Sequence, residues 1–158
     1  MFRPMRRFKQ QLSQEECLAV LQGEKRGTLA LSGDDGYPYA VPINYYYDPE
    51  SGHLFFHGAK EGHKLDALAR SDKVSFAVHD QGVIEEGDWA YTLHSVIVFG
   101  RMHVVEDPER FAQYLYKIGV KYYPNAQMVT DLIGRAGSRV TMLELVPEHM
   151  TGKLVHEK

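Results

Sequence analysis

Between Phe55 and Leu68 the chain reads FFHGAKEGHKLDAL, and residues 57–64 alone supply two histidines, two lysines and two glycines. Residues of these types suit a metal site, a phosphate cradle or a solvated polar turn. The familiar helical zinc pattern sets two histidines four apart with a glutamate beside the first. Here His57 and His63 are six apart, and Glu61 stands two before His63, so no metal pattern is met. The phosphate reading fits the order of elements. A strand-like run ends, a glycine-containing loop lets the backbone approach a ligand, and a helix then begins with free N–H groups and its positive dipole end exposed. Lys60, His63 and Lys64 add charge-assisted donors at the same point. Composition alone is equally satisfied by a polar turn.

A second stretch, AVPINYYYD at 40–48, carries a proline inside a strand-like run. Pro42 has no N–H for a ladder, so the pairing is expected to open there and free the backbone groups of Ile43, Asn44 and Tyr45. The edge of a planar ring with donors and acceptors fits such groups, with tyrosines walling its face. Taken singly, a proline in a strand also marks a sheet edge or a bulge.

The elements that must position these residues are mostly strands. GTLALSG (27–33), YPYAVPINYYYD (37–48), HLFFHG, KVSFAVHD (73–80), YTLHSVIVFGRMHVVE (91–106) and SRVTMLELVPE (138–148) read as six. Ser13 and Glu16 have capping-box spacing and open a helix to about Gly23. EGHKLDALAR is a second helix, Asp107-Pro108-Glu109 starts a third, and 126–133 a fourth. Strands joined by tight turns predict a mainly β fold, an antiparallel sheet closed into a barrel with flanking helices.

At 158 residues the chain suits one domain, 1–158, with a basic arm over about 1–12. Its 25% charged and 44% hydrophobic residues match ordinary globular usage, and no apolar run approaches the ~18 residues that span a bilayer. MFRPMRRFKQQ lacks the apolar region of a secretory signal, which predicts a cytoplasmic protein with no membrane association. A net charge of −3, without a basic face interleaved with aromatics, argues against nucleic acid as partner. The single cysteine, Cys17, falls on a helix face beside Leu18 and Leu21 and reads as a buried thiol.

VPINYYYD, LFFHGAKEGHKLDAL, HSVIVFGRMHVVED and MTGK (150–153) follow one another in an order that resembles the flavin-binding split-barrel proteins related to pyridoxamine 5′-phosphate oxidase. Within that family the chain is similar to the nitroimidazole-resistance (Nim) branch, from MRRFKQQLS to TGK. The resemblance implies a six-stranded split β-barrel and a homodimer with one FMN in each of two interface clefts. By position, Val41, Pro42, Ile43, Asn44 and Tyr45 would line the isoalloxazine ring. His57, Gly58 and Ala59 would run under the flavin, and Lys60, His63 and Lys64 would hold the phosphate. His94, Ser95 and Val96 would approach the ring from the partner subunit, although Val96, like Val98 and Phe99, reads from the strand pattern as a core or dimer contact. His57 would stand next to the chemistry, while Lys153 is a weaker candidate that an exposed lysine equally explains.

The activity so implied is reduction, with NAD(P)H or another reductant as donor and a small electron-poor molecule, such as a 5-nitroimidazole, as acceptor. Histidine, with an ordinary pKa near ~6.5, suits proton delivery at neutral pH. Pyridoxamine phosphate oxidation is not expected, because VPEHMTGKLVHEK carries His149 without the arginines that hold the substrate phosphate. No dinucleotide-binding glycine fingerprint occurs, so a nicotinamide would visit the flavin cleft. Two alternatives stay open. One is a flavin- or haem-binding protein with a sensing, storage or haem-degrading role, with His57, His79, His94 or His103 as axial ligand. The other is a dimeric barrel that serves only in interactions.

Overall fold

A computed structural model describes residues 1–157, in which one curled antiparallel sheet carries four α-helices. In chain order the elements are α1 (Gln14–Gly23), β1 (Arg26–Ser32), β2 (Pro38–Asn44), β3 (Tyr46–Tyr47), β4 (Leu54–Ala59), α2 (His63–Arg70), β5 (Lys73–His79), β6 (Val83–Ile84), β7 (Tyr91–Val104), α3 (Pro108–Tyr122), α4 (Ala126–Ala136) and β8 (Val140–His156). The hydrogen-bonded order is β2-β1-β5-β7-β8-β4-β3, with β6 attached to β7. The six expected strands are present, joined by the two-residue β3 and β6. No helix among the described residues is long and apolar enough to cross a membrane.

Period-2 alternation turns Leu29, Leu31, Val74, Phe76, Val78, Val96, Val98, Leu143 and Leu145 into the barrel, where they are buried together. α1 plugs one end with Cys17, Val20 and Leu21. Its capping box is formed in both directions, Glu16 N–H to Ser13 Oγ at 3.2 Å and Ser13 N–H to Glu16 Oε2 at 2.7 Å. Burial raises the pKa of the Cys17 thiol. α3 covers the outer face of β4 and β8 through a second core of Phe55, Tyr114, Leu115, Ile118 and Met142.

Two strand expectations are corrected. The ladder from β1 to β2 runs unbroken past Pro42, which pairs with Thr28. β2 pairs with β1 alone, so one side of it has no strand for the missing N–H to serve, and the proline is tolerated. The break comes three residues later, at Tyr45, between β2 and β3. The final strand does not stop at Glu148 but continues to His156. A bulge between the pairs Phe99–His149 and Gly100–Pro147 absorbs Glu148 and carries the ladder past the proline. Gly100 makes this approach possible, because a Cβ there would stand 2.2 Å from the Val146 carbonyl oxygen.

The barrel stays split between β2 and the second half of β4. Residues 56–59 of β4 pair only with β8, while Tyr46 and Tyr47 pair with Phe55 and Leu54. The chain itself closes the lower end of the gap at Tyr45 and leaves the upper end open.

Candidate functional site

The split exposes the outward-facing residues of both its borders. Arg26, Pro42, Ile43, Asn44 and His57 line a cavity of about 330 Å³ there. A larger cavity of about 540 Å³ shares Arg26, Asn44 and His57 and continues beneath α3 and α4. His57 alternates with the buried Phe56, so its ring faces away from the barrel core and into both spaces. It has no hydrogen-bond or ion-pair partner among the described residues. Although the residue is exposed overall, lost hydration on its protein side lowers its pKa, so the imidazole is neutral at pH 7. Val41 and Ile43 turn the other way and pack on the barrel core, so only their backbones border the split.

At the other end of the same stretch, α2 starts on Gly62, whose φ of 135° suits glycine. No side chain caps this helix, so its first N–H groups point at the loop. A small cavity of about 60 Å³ lies there, bordered by Gly58, Ala59, Gly62, His63 and Lys64. The Lys64 Nζ lies 4.0 Å from where a Cβ on Gly58 would stand. Lys60 and Lys64 have no partner among the described residues. His63 is more engaged: its ring stacks on Tyr39 at 3.9 Å and 17°, and Nε2 is 3.8 Å from Asp34, which Arg70 holds at 2.8 Å.

Tyr45 is removed from the expected ligand contacts. It is wholly buried, its hydroxyl donates to the Leu21 carbonyl at 2.8 Å, and its N–H donates to the Tyr122 hydroxyl at 2.9 Å. Its carbonyl accepts from Lys121 at 2.9 Å and lies 2.8 Å from the Tyr122 hydroxyl, which leaves neither backbone group for a ring. The β7 trio is also divided, because neighbours on a strand face opposite sides. Ser95 faces outward opposite Lys153, whereas Val96 is buried in the barrel. His94 faces the barrel's end, where Nδ1 meets Asp80 Oδ2 at 2.7 Å and its N–H meets Asp80 Oδ1 at 3.0 Å. Burial pushes the Asp80 carboxyl up, but the hydrogen bonds from His94 and Gly82 hold it below its usual range.

Several residues at the split were not singled out from sequence. Arg26, Lys25 and Tyr122 line the larger cavity, and Tyr39 and Asp34 fix His63. The only local signal for the first two was the charge run EKR at 24–26, which reads as an ordinary solvated turn.

Residues 13–154 match the family model described as pyridoxamine 5′-phosphate oxidase. The chain belongs to that family. Solved structures agree on the fold. A conserved hypothetical protein from Mycobacterium tuberculosis is 20% identical with a TM-score of 0.80, over 96% of this chain and 90% of that one. A candidate 5-nitroimidazole antibiotic resistance protein from Bacteroides thetaiotaomicron is 19% identical with a TM-score of 0.75, over 92% and 87%. A FAD-binding protein from Mesorhizobium loti is 25% identical with a TM-score of 0.66, over 92% and 96%. No curated protein matches the chain.

Proposed function

We propose that this family member is an FMN-binding oxidoreductase that reduces small electron-poor compounds, 5-nitroimidazoles among them, as a homodimer. The observation that carries the reading is the placement of two unsatisfied sites along one strand-loop-helix unit. Lys60, Lys64 and the uncapped start of α2 form one, and the unpartnered His57 at the open split forms the other. A ligand with an anionic end and a planar ring matches both. FMN, when bound, supplies hydride and electron transfer. The chain's residues do the rest. Lys60 and Lys64 neutralise phosphate together with the helix N–H groups. The backbone of Val41 to Asn44 and the Asn44 side chain border the ring. Neutral His57 hydrogen-bonds the acceptor and relays a proton to it.

A second copy of the chain has a surface to meet. Ala77, Ile97 and Phe99 are exposed side by side on the outer face of β5 and β7. Ser95 lies on this face too, which keeps it as a contact from the partner subunit, while His94 and Val96 are turned inward.

Titration of flavin-free protein with FMN and FAD tests the reading. FMN is expected to bind more tightly and turn the protein yellow. Replacing Lys60 and Lys64 together with alanine should weaken FMN about a hundredfold, the loss of two charge-assisted contacts, and leave the unfolding midpoint within error. Unchanged FMN affinity in that variant sinks the phosphate assignment.

A further inference from the structure

The larger cavity continues from the split to the space beneath α3 and α4. Its inner wall is apolar, built from Leu115 and Ile118 of α3, Val129, Leu132 and Ile133 of α4, and Val140 at the start of β8. The two helices cannot close further over it. They already touch where Gly119 faces Val129, and a Cβ on Gly119 would stand 2.4 Å from Val129 Cγ1. The space lies between this helix pair and the sheet. At about 540 Å³ it falls within the ~300–1,000 Å³ range of small-molecule sites.

The mouth differs from the wall. Lys25 and Arg26 line it and are exposed, and their charged side chains have no hydrogen bond or ion pair among the described residues, although the Lys25 carbonyl accepts from the Tyr122 hydroxyl. Lys121 adds a third positive charge close by, and Glu24 is the carboxylate whose field reaches that lysine. Positive charge outweighs negative at an opening whose interior is apolar.

We infer that this cavity is a binding site whose ligand class is an amphipathic anion. An aliphatic or aromatic body lies under α3 and α4, and a planar two-oxygen head such as a carboxylate sits between Lys25, Arg26 and His57. The inference does not rest on the proposed function, and the binding does not need flavin.

Calorimetric titration of the full chain, flavin-free and FMN-loaded, with decanoate, decanol and butyrate tests this directly. Decanoate is expected to bind in both forms. Decanol, without the charge, and butyrate, without the apolar length, should each bind at least about tenfold more weakly. Ala136→Trp, which fills the cavity from α4, should lower decanoate affinity at least about tenfold and leave FMN affinity unchanged. The exposed pair Lys25→Ala and Arg26→Ala, which leaves the packing intact, should bring decanoate down to the affinity of decanol. No decanoate binding, or binding unaltered by both sets of substitutions, overturns the assignment. A protein that takes decanoate but no flavin upholds this site and removes the oxidoreductase reading instead.

Discussion

At the lower end of β4, the buried carboxylate of Glu144 accepts hydrogen bonds from His53 at 2.9 Å, His103 at 2.8 Å and Arg110 at 2.5 Å. Beside it, buried Asp48 accepts from the hydroxyls of Tyr114 and Ser51, each at 2.7 Å, and the Tyr114 ring stacks on Phe55 at 3.5 Å. At the upper end of the same strand, the side chains of His57, Lys60 and Lys64 have no partners among the described residues, and those of Lys25 and Arg26 across the split have none there either. A buried charge is tolerated only when its hydrogen bonds are met, so the lower cluster belongs to the architecture. Unpaired cations must stay solvated or meet an anion. Four of them gather around a cleft, in a chain whose net charge is −3, at the end of β4 where the proposed ligand would sit.

The sharpest way to break this contrast is to remove the buried acceptor. Glu144→Gln leaves Arg110 and both imidazoles without their carboxylate and should cost about 3 kcal/mol of stability, read from urea unfolding at pH 7. FMN affinity should not change. Burial pushes the Glu144 carboxyl up, but the bonds from Arg110, His53 and His103 outweigh it, and the net pKa is lowered. A lowered folded pKa contributes stability that is present above the unfolded value of ~4.3 and is lost as pH falls from there through the folded pKa, so wild type and variant should converge in acid. Equal stability at pH 7 would mean the lower cluster is solvated after all.

His57→Ala attacks the other end. Reoxidation of reduced protein by a nitroimidazole in stopped flow should slow about a hundredfold, the usual worth of a positioned proton donor, with stability changed by no more than about 0.5 kcal/mol. The pKa of His57 lies below the ordinary histidine range, so the wild-type rate should rise toward acid pH and the variant's should not. A variant that keeps both rate and pH profile would reduce His57 to a packing residue.

Local signals in the sequence proved the readable ones. The Ser13–Glu16 capping box, the end of α2 at Arg70 and the alternating strands depend on residues a few positions apart, and all formed as expected, while α2 starts at His63, two residues later than read. What was misread depends on distant partners. Pro42 is harmless because β2 lies at a sheet edge, and β8 outruns Pro147 because a bulge meets Gly100 on β7. Carrying His94, Ser95 and Val96 over as a unit ignored the alternation that sends Ser95 outward and Val96 inward. The apolar cavity could not be read at all, since it exists only where Gly119 lets α3 meet α4 above the sheet.

Lys121 offers the smallest and most discriminating test, because it is a half-buried cation at the closed end of the split with no ion pair among the described residues. Its Nζ donates to the carbonyls of Glu24 at 2.7 Å and Tyr45 at 2.9 Å and lies 3.9 Å from the centre of the Tyr45 ring. Burial lowers its pKa to about 8. Between there and the unfolded value of ~10.4, the unfolded chain holds a proton that the folded chain has released, so stability rises with pH across that interval and is flat below it. Tyr114, raised by burial and by Asp48 to about 12, acts in the opposite sense only above its ordinary value of ~10. Urea unfolding at pH 7.5 and 9.5 should therefore show wild type gaining up to about 1 kcal/mol relative to Lys121→Met, allowing for solvent screening of a half-buried group. A matching response in the variant would show that the two carbonyls and the ring fully replace a counter-ion. A gain confined to wild type would show that the pin holding Tyr45, and with it the closed end of the split, carries an unmet charge at neutral pH.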